Sequence, residues 1–389
     1  MKQAFKTVPY ISILNRLALA AVLCLGVACS SNTDTTSDNT EDTQATEKTE
    51  PTAEGTTNLE PAGEAPTWAP SITDPMLVVM EKLDNLSSGP SLVKLTAAQA
   101  RQAPTPADAV MQIMQEKNIS APPMLVDTTG QSVPVEGGNI HVRVYTPQGG
   151  TGAKPGIVYY HGGGWVIAGI DTYDASAKAL AEKTGAIVVA VAYRQAPEHK
   201  FPTAHNDSFA AYRWVVDNAK TLNINPDKIA VAGESAGGNL AASVSMMARD
   251  NKVKMPVHQL LVYPIASYDM NSPSYQTYAN AKPLSKPLMA WFFDKYLNSP
   301  KDGQSPMISL VNAPNLKNLP PATIINAEID PLQAEGQLYA SKLKDAGIPV
   351  TTKVFNGVTH EFFGMAAVLP EARDAQTMAV DELKKAFNK

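Results

Sequence analysis

Gly233-Glu234-Ser235-Ala236-Gly237-Gly238 places a serine between small residues, in a stretch that reads as strand, sharp turn and helix. A serine on so tight a turn presents its hydroxyl outward. Its flanking positions crowd the adjoining strand and helix, so they must be as small as glycine. The N–H of Ala236 lies at a helix N-terminus, where partial positive charge favours an anion. A second run, His161-Gly162-Gly163-Gly164-Trp165, follows a short apolar stretch. Consecutive glycines leave backbone N–H groups unshielded and able to donate to a developing oxyanion. The N–H groups of Gly162, Gly163, Gly164 and Ala236 are the candidate donors, and His161 is read as a brace for the loop. Asp330 precedes Pro331 at the end of another apolar stretch, and His360 follows a third. In isolation Asp330 also reads as a helix N-cap. His360 is the only histidine after Asp330, the other five being His141, His161, His199, His205 and His258. The order Ser235, Asp330, His360 is the order in which one class of α/β proteins supplies a nucleophile, an orienting acid and a base. The chemistry expected of such a set is acyl transfer through a serine.

Elements that place these residues follow from periodicity. Segments 157–160 and 186–193 read as buried-type strands, 228–232, 259–263, 322–327 and 350–355 as further strands, and 139–146 alternates like a strand. Helical spacing recurs at 204–219, 236–249, 332–346 and 372–387. Strands alternating with helices predict a mostly parallel sheet covered on both faces. Ligands of such sheets sit beyond the carboxyl ends of the strands, where the four motifs fall. Helical patterns at 76–83 and 107–114, and the aromatic segment 268–300 with a helix at 288–297, interrupt the rhythm. Trp165, Glu234, Trp291 and Phe292 are the candidate pocket residues.

These motifs, with Tyr193-Arg194-Gln195-Ala196-Pro197-Glu198-His199-Lys200-Phe201-Pro202, resemble the bacterial hormone-sensitive lipase family of esterases. The resemblance covers roughly residues 70–389. It implies an α/β-hydrolase fold with an eight-stranded, mostly parallel sheet, helices on both faces, and a helical cap from about 70–125 and 268–300. It also implies hydrolysis of short- to medium-chain acyl esters with no metal and no cofactor, and it allows a homodimer. Two positions depart from the family pattern. Glu234 stands where many members carry Asp, and Glu361 where Gly is common.

The N-terminus has a different character. Lys2, Lys6 and Arg16 precede an apolar run that ends in Gly26-Val27-Ala28-Cys29-Ser30. This reads as a secretory signal over 1–28, with Cys29 as a lipidated first residue of bacterial lipoprotein type. Gly26 departs from the leucine usual three residues before such a cysteine. The only cysteines are Cys24 and Cys29, so loss of the leader leaves no intramolecular disulfide. Residues 29–66 are acidic and rich in Ser and Thr, with few large apolar side chains, and are expected to be a disordered tether to a domain at 67–389. The expected location is the bacterial envelope, anchored at the outer membrane, with no other membrane contact. A net charge of −5 with 18% charged residues argues against nucleic-acid binding, while 44% hydrophobic residues suffice for a large core.

Overall fold

In the computed structural model, residues 59–120 and 124–388 are described. The expected leader, the Cys29 lipidation site and nearly all of the expected tether lie outside them. Helix α1 (Asp74–Leu86), the single turn α2 (Ala97–Ala100) and helix α3 (Pro106–Glu116) come first. Thr96 and Thr105 close α2 and α3 with capping boxes, each accepting an N–H three residues on while Gln99 or Asp108 reaches back. The chain continues through β1 (Val126–Val135), β2 (Gly138–Pro147), β3 (Lys154–Tyr160), α4 (Asp174–Thr184), β4 (Ile187–Ala192), α5 (Thr203–Asp217), β5 (Ile224–Glu234) and α6 (Ala236–Asp250). Then follow β6 (Gln259–Val262), α7 (Pro273–Thr277), α8 (Lys286–Tyr296), α9 (Pro300–Gly303), β7 (Ala322–Ile329), α10 (Gln333–Asp345), β8 (Val350–Thr359) and α11 (Pro370–Phe387).

The eight strands form one sheet in the order β1-β2-β4-β3-β5-β6-β7-β8. β1, β2 and β4 pair antiparallel, and every pair from β4 to β8 is parallel. The parallel strands are apolar on both faces because both are covered. Val158, Tyr160, Val189, Val191 and Val231 pack against α5, α6 and α10. Their neighbours Ile157, Tyr159, Val188, Ala190 and Ala232 pack against α4 and α11 on the other face. Besides the short helices α2, α7 and α9, two longer elements escape the sequence reading. β1 is exposed along most of its length, so its residues Asp127 to Ser132 lack an apolar signal. α4 is alanine-rich, and only its Ala177–Ala181 side meets the core.

β8 runs four residues beyond the predicted stop. Its pairing with β7 shifts register after Ala327↔Phe355 and resumes at Ile329↔Thr359. The additional β8 residues bulge outward there. Glu328 holds the bulge: one carboxylate oxygen accepts the Gly357 N–H at 2.7 Å and the other accepts the Ser71 hydroxyl at 2.9 Å. The resumed pair sets the residues that follow, Asp330 and His360, side by side.

The helical segments expected to form a cap meet the sheet at this same end. Thr73 of the turn into α1 donates its N–H to Gly357 O at 2.9 Å. Phe201 donates its N–H to Tyr296 O at the end of α8, and Lys282 pairs with Asp84 of α1, joining the two segments. No helix among the described residues is long and apolar enough to cross a membrane.

Candidate active site

β5 ends in Glu234 and α6 begins at Ala236, so Ser235 is the whole turn between them. Its φ of 56° and ψ of −118° are unusual for a side chain that is not glycine. The turn is fixed from both sides: Ser235 N–H donates to Val262 O at 2.9 Å, and Ser235 O accepts the Ile265 N–H at 3.2 Å. The flanking glycines are there for space. A Cβ at Gly237 would lie 1.9 Å from Tyr160 O, and one at Gly233 2.2 Å from Gly237 O.

Ser235 Oγ lies 2.9 Å from His360 Nε2, and His360 Nδ1 lies 2.7 Å from Asp330 Oδ2. Asp330 is an acceptor, so Nδ1 carries the proton and Nε2 is free to take the serine's. The second oxygen of Asp330 accepts the Leu332 N–H at 2.9 Å, which fixes the carboxylate on its own turn; the N-cap of α10 is Leu332, so the helix-cap reading of Asp330 does not hold. Ser235 is 4% exposed, His360 3% and Asp330 fully buried. Burial pulls the imidazolium pKa of His360 down. The charge and hydrogen bond of Asp330, with Glu361 and Glu234 beyond it, outweigh that and leave it raised.

The glycine loop faces the serine from β3. Gly163 has φ 93° and Gly164 φ 58°, and a Cβ at Gly163 would lie 2.1 Å from Ile167 O. His161 Nδ1 donates to Gly162 O at 2.8 Å while its ring stacks on Tyr193 at 4.3 Å. Burial lowers the His161 pKa to about 4, so it braces the loop as neutral imidazole. Among the described residues, the N–H groups of Gly162, Gly163, Gly164 and Ala236 donate to no protein acceptor. Unpaired donors beside a nucleophile can stabilise a tetrahedral oxyanion.

Two of the four candidate pocket residues lie elsewhere. Trp165 is fully buried and stacks on Tyr296 at 4.6 Å, so it anchors α8 to the loop. Glu234 points behind the serine, where both its oxygens accept tyrosine hydroxyls, from Tyr159 and Tyr263. Glu234 precedes the serine on the sharp turn and points the other way, while Trp165 ends the separate glycine loop and is held by its stacking on Tyr296. Phe292 does flank the loop, since a Cβ at Gly164 would lie 2.2 Å from its ring. Trp291 meets Phe292 edge to face at 5.5 Å and is 8% exposed. Tyr159, Tyr173 and Tyr263 are site residues that the sequence reading passes over. Their signal is weak: a buried tyrosine needs a partner for its hydroxyl, and the partner's identity is fixed only by the fold. Among the described residues no group of three or more His, Cys, Asp or Glu side chains is placed to hold a metal ion.

Comparison with known proteins agrees with this architecture. The sequence model of a family described as alpha/beta hydrolase fold matches residues 157–364. The carboxylesterase NlhH of Mycobacterium tuberculosis is 36% identical over 327 residues, which cover 83% of this chain and 99% of that protein. An ethyl acetate hydrolase of Pseudomonas putida is 35% identical over 253 residues, 64% of this chain and 80% of the relative. The solved structure of a hyperthermophilic esterase from Pyrobaculum calidifontis superposes with a TM-score of 0.73 at 36% identity, covering 81% of this chain and 98% of that one. The glycine loop, the serine turn and the Asp330–His360 pair all fall within the matched region, and the chain belongs to the hormone-sensitive lipase family of esterases, carboxylic ester hydrolases on the α/β-hydrolase fold.

Proposed function

We propose that this enzyme cleaves short- to medium-chain acyl esters through a Ser235–His360–Asp330 triad and an acyl-enzyme intermediate. The observation that carries the reading is the unbroken line of two hydrogen bonds, 2.9 and 2.7 Å, from Ser235 Oγ through His360 to Asp330. In acylation His360 Nε2 takes the serine proton as Oγ attacks the ester carbonyl. The carbonyl oxygen becomes an anion facing the N–H groups of Gly163, Gly164 and Ala236. Asp330 holds the imidazole in its reactive tautomer and stabilises its cation. His360 then protonates the leaving alcohol, and water repeats the sequence in reverse to release the acid. Phe292, whose ring packs on Gly164, supplies an apolar wall beside the glycine loop.

Hydrolysis of p-nitrophenyl esters of increasing acyl length, by the wild-type chain and by Ser235→Ala, tests this. The expected result is a rate that falls as the chain lengthens. In the variant it drops by roughly 10⁴ or more, leaving only what the oxyanion donors supply. A folded Ser235→Ala protein with undiminished turnover would remove Ser235 from the mechanism.

A further inference from the structure

The residue after the base carries a carboxylate that the triad does not use. Glu361 has φ 74°, a conformation that glycine adopts freely and other residues rarely do. Its Oε1 lies 3.9 Å from His360 Nε2, the nitrogen that exchanges protons with Ser235. That same oxygen accepts the Tyr173 hydroxyl at 2.6 Å. Tyr173 is itself wedged against the glycine loop, where a Cβ at Gly162 would lie 2.1 Å from its hydroxyl. The carboxylate is thus pinned between the loop and the base.

Its surroundings define what it acts on. Facing this part of the site are Tyr159 of β3, Tyr173 before α4, Tyr193 after β4, Glu234 of β5, Tyr263 after β6, Asp330 after β7 and His360. Among the described residues, the one cationic partner acting on Glu361 is protonated His360. Burial and the Asp330 charge push the Glu361 carboxyl up, and the imidazolium and the Tyr173 hydroxyl pull it back. The side chain is 19% exposed, so it lies at the edge of the site and not in a sealed core.

We propose that Glu361, tethered by Tyr173, is a positioning residue that supplies a second carboxylate partner to the His360 imidazolium in both acylation and deacylation. The inference rests on the triad reading above. Asp330 acts on the Nδ1 side and Glu361 approaches from the Nε2 side, so the cation is held from both ends while the proton is in transit. No bond is made or broken at Glu361, and the proton passes only between Ser235, His360, the leaving alcohol and water.

The test is the pH profile of kcat and kcat/KM for Glu361→Gln on p-nitrophenyl acetate. The amide keeps the size of the side chain and an acceptor for Tyr173 but loses the charge. We expect plateau kcat to fall about tenfold, with a smaller change in KM. The acid limb should move by about one pH unit toward lower pH, because the imidazolium loses the same stabilisation in both measurements. A fallen plateau with an unmoved limb would mean that Glu361 only packs, and an unchanged plateau would also overturn the proposal. If the Gln variant fails to fold, Tyr173→Phe frees the carboxylate, and plateau and limb should move in the same directions. Neither moving in that variant would sink the idea. Ser235→Ala, assayed alongside, separates the two readings: its inactivity upholds the triad and leaves the Glu361 profiles to decide this inference alone.

Discussion

Five residues around the site, Trp165, Ala168, Ser235, Tyr263 and Glu361, have positive φ without being glycine. Elsewhere such residues are Asn118, Asn223, Lys252 and Asn318, mostly the asparagines that tolerate this region. Strain of this kind persists where the surrounding structure over-determines it. Here the clamp is a set of short polar contacts. Glu234 shows its cost: burial, with the Glu361 charge, lifts its pKa to about 7 against the two tyrosine hydroxyls and Ser176 that oppose it. A carboxyl raised from 4.5 to about 7 binds its proton more tightly in the folded protein than in the unfolded one. Its contribution to stability is therefore fully present below about pH 4.5 and is lost as pH rises through about 7. The difference in unfolding free energy between wild type and Glu234→Gln should change by on the order of 3 kcal/mol across that window. Urea titrations of both proteins from pH 4.5 to 8 measure it, and parallel curves would show that Glu234 titrates in the folded protein as it does in the unfolded one.

At the scale of elements, a register shift does the positioning. Asp330 and His360 are 30 residues apart, and they meet because Ile329 pairs with Thr359 after the β8 bulge. Glu328 holds that bulge through Gly357 and ties it to Ser71. Glu328→Ala should leave the fold intact by circular dichroism and lower kcat about ten- to a hundredfold, since small misplacements of a base are costly. Glu328→Gln keeps an acceptor for Gly357 and should recover most of the loss. Unchanged kcat in Glu328→Ala would mean that the β7–β8 pairing holds the bulge unaided. None of this is visible in the sequence. Periodicity locates Val350–Phe355 as strand, but a bulge is set by the partner strand, and Asn356-Gly357 reads equally well as the strand's end. The same limit hides β1, whose exposed residues carry no apolar pattern, and α4, whose alanines suit several conformations. The central strands were legible because burial on both faces demands unbroken apolar runs. The serine turn was legible because close backbone approach demands glycine at fixed spacing.

Over the whole molecule, the two faces of the sheet carry separate cores, and the site sits where their strands end. The candidate triad positions and the glycine loop are legible in the sequence because the chemistry proposed for them restricts residue type. Half of the candidate pocket was not legible, because Trp165 and Glu234 have the right types in the right motifs but are taken up by Tyr296 and by the hydroxyls of Tyr159 and Tyr263. Direction at a turn is a property of the folded backbone. Under the proposed mechanism Ser235 is the nucleophile, while Ser208, Ser243, Ser245 and Ser267 are buried away from His360. The most direct measurement is peptide mass mapping after reaction with a p-nitrophenyl alkylphosphonate, which traps an activated serine as a stable tetrahedral adduct. The account predicts a single adduct on Ser235, one equivalent of p-nitrophenol released per chain, and activity lost in proportion. Inactivation with the adduct on any other residue, or full labelling of Ser235 with activity retained, would contradict it.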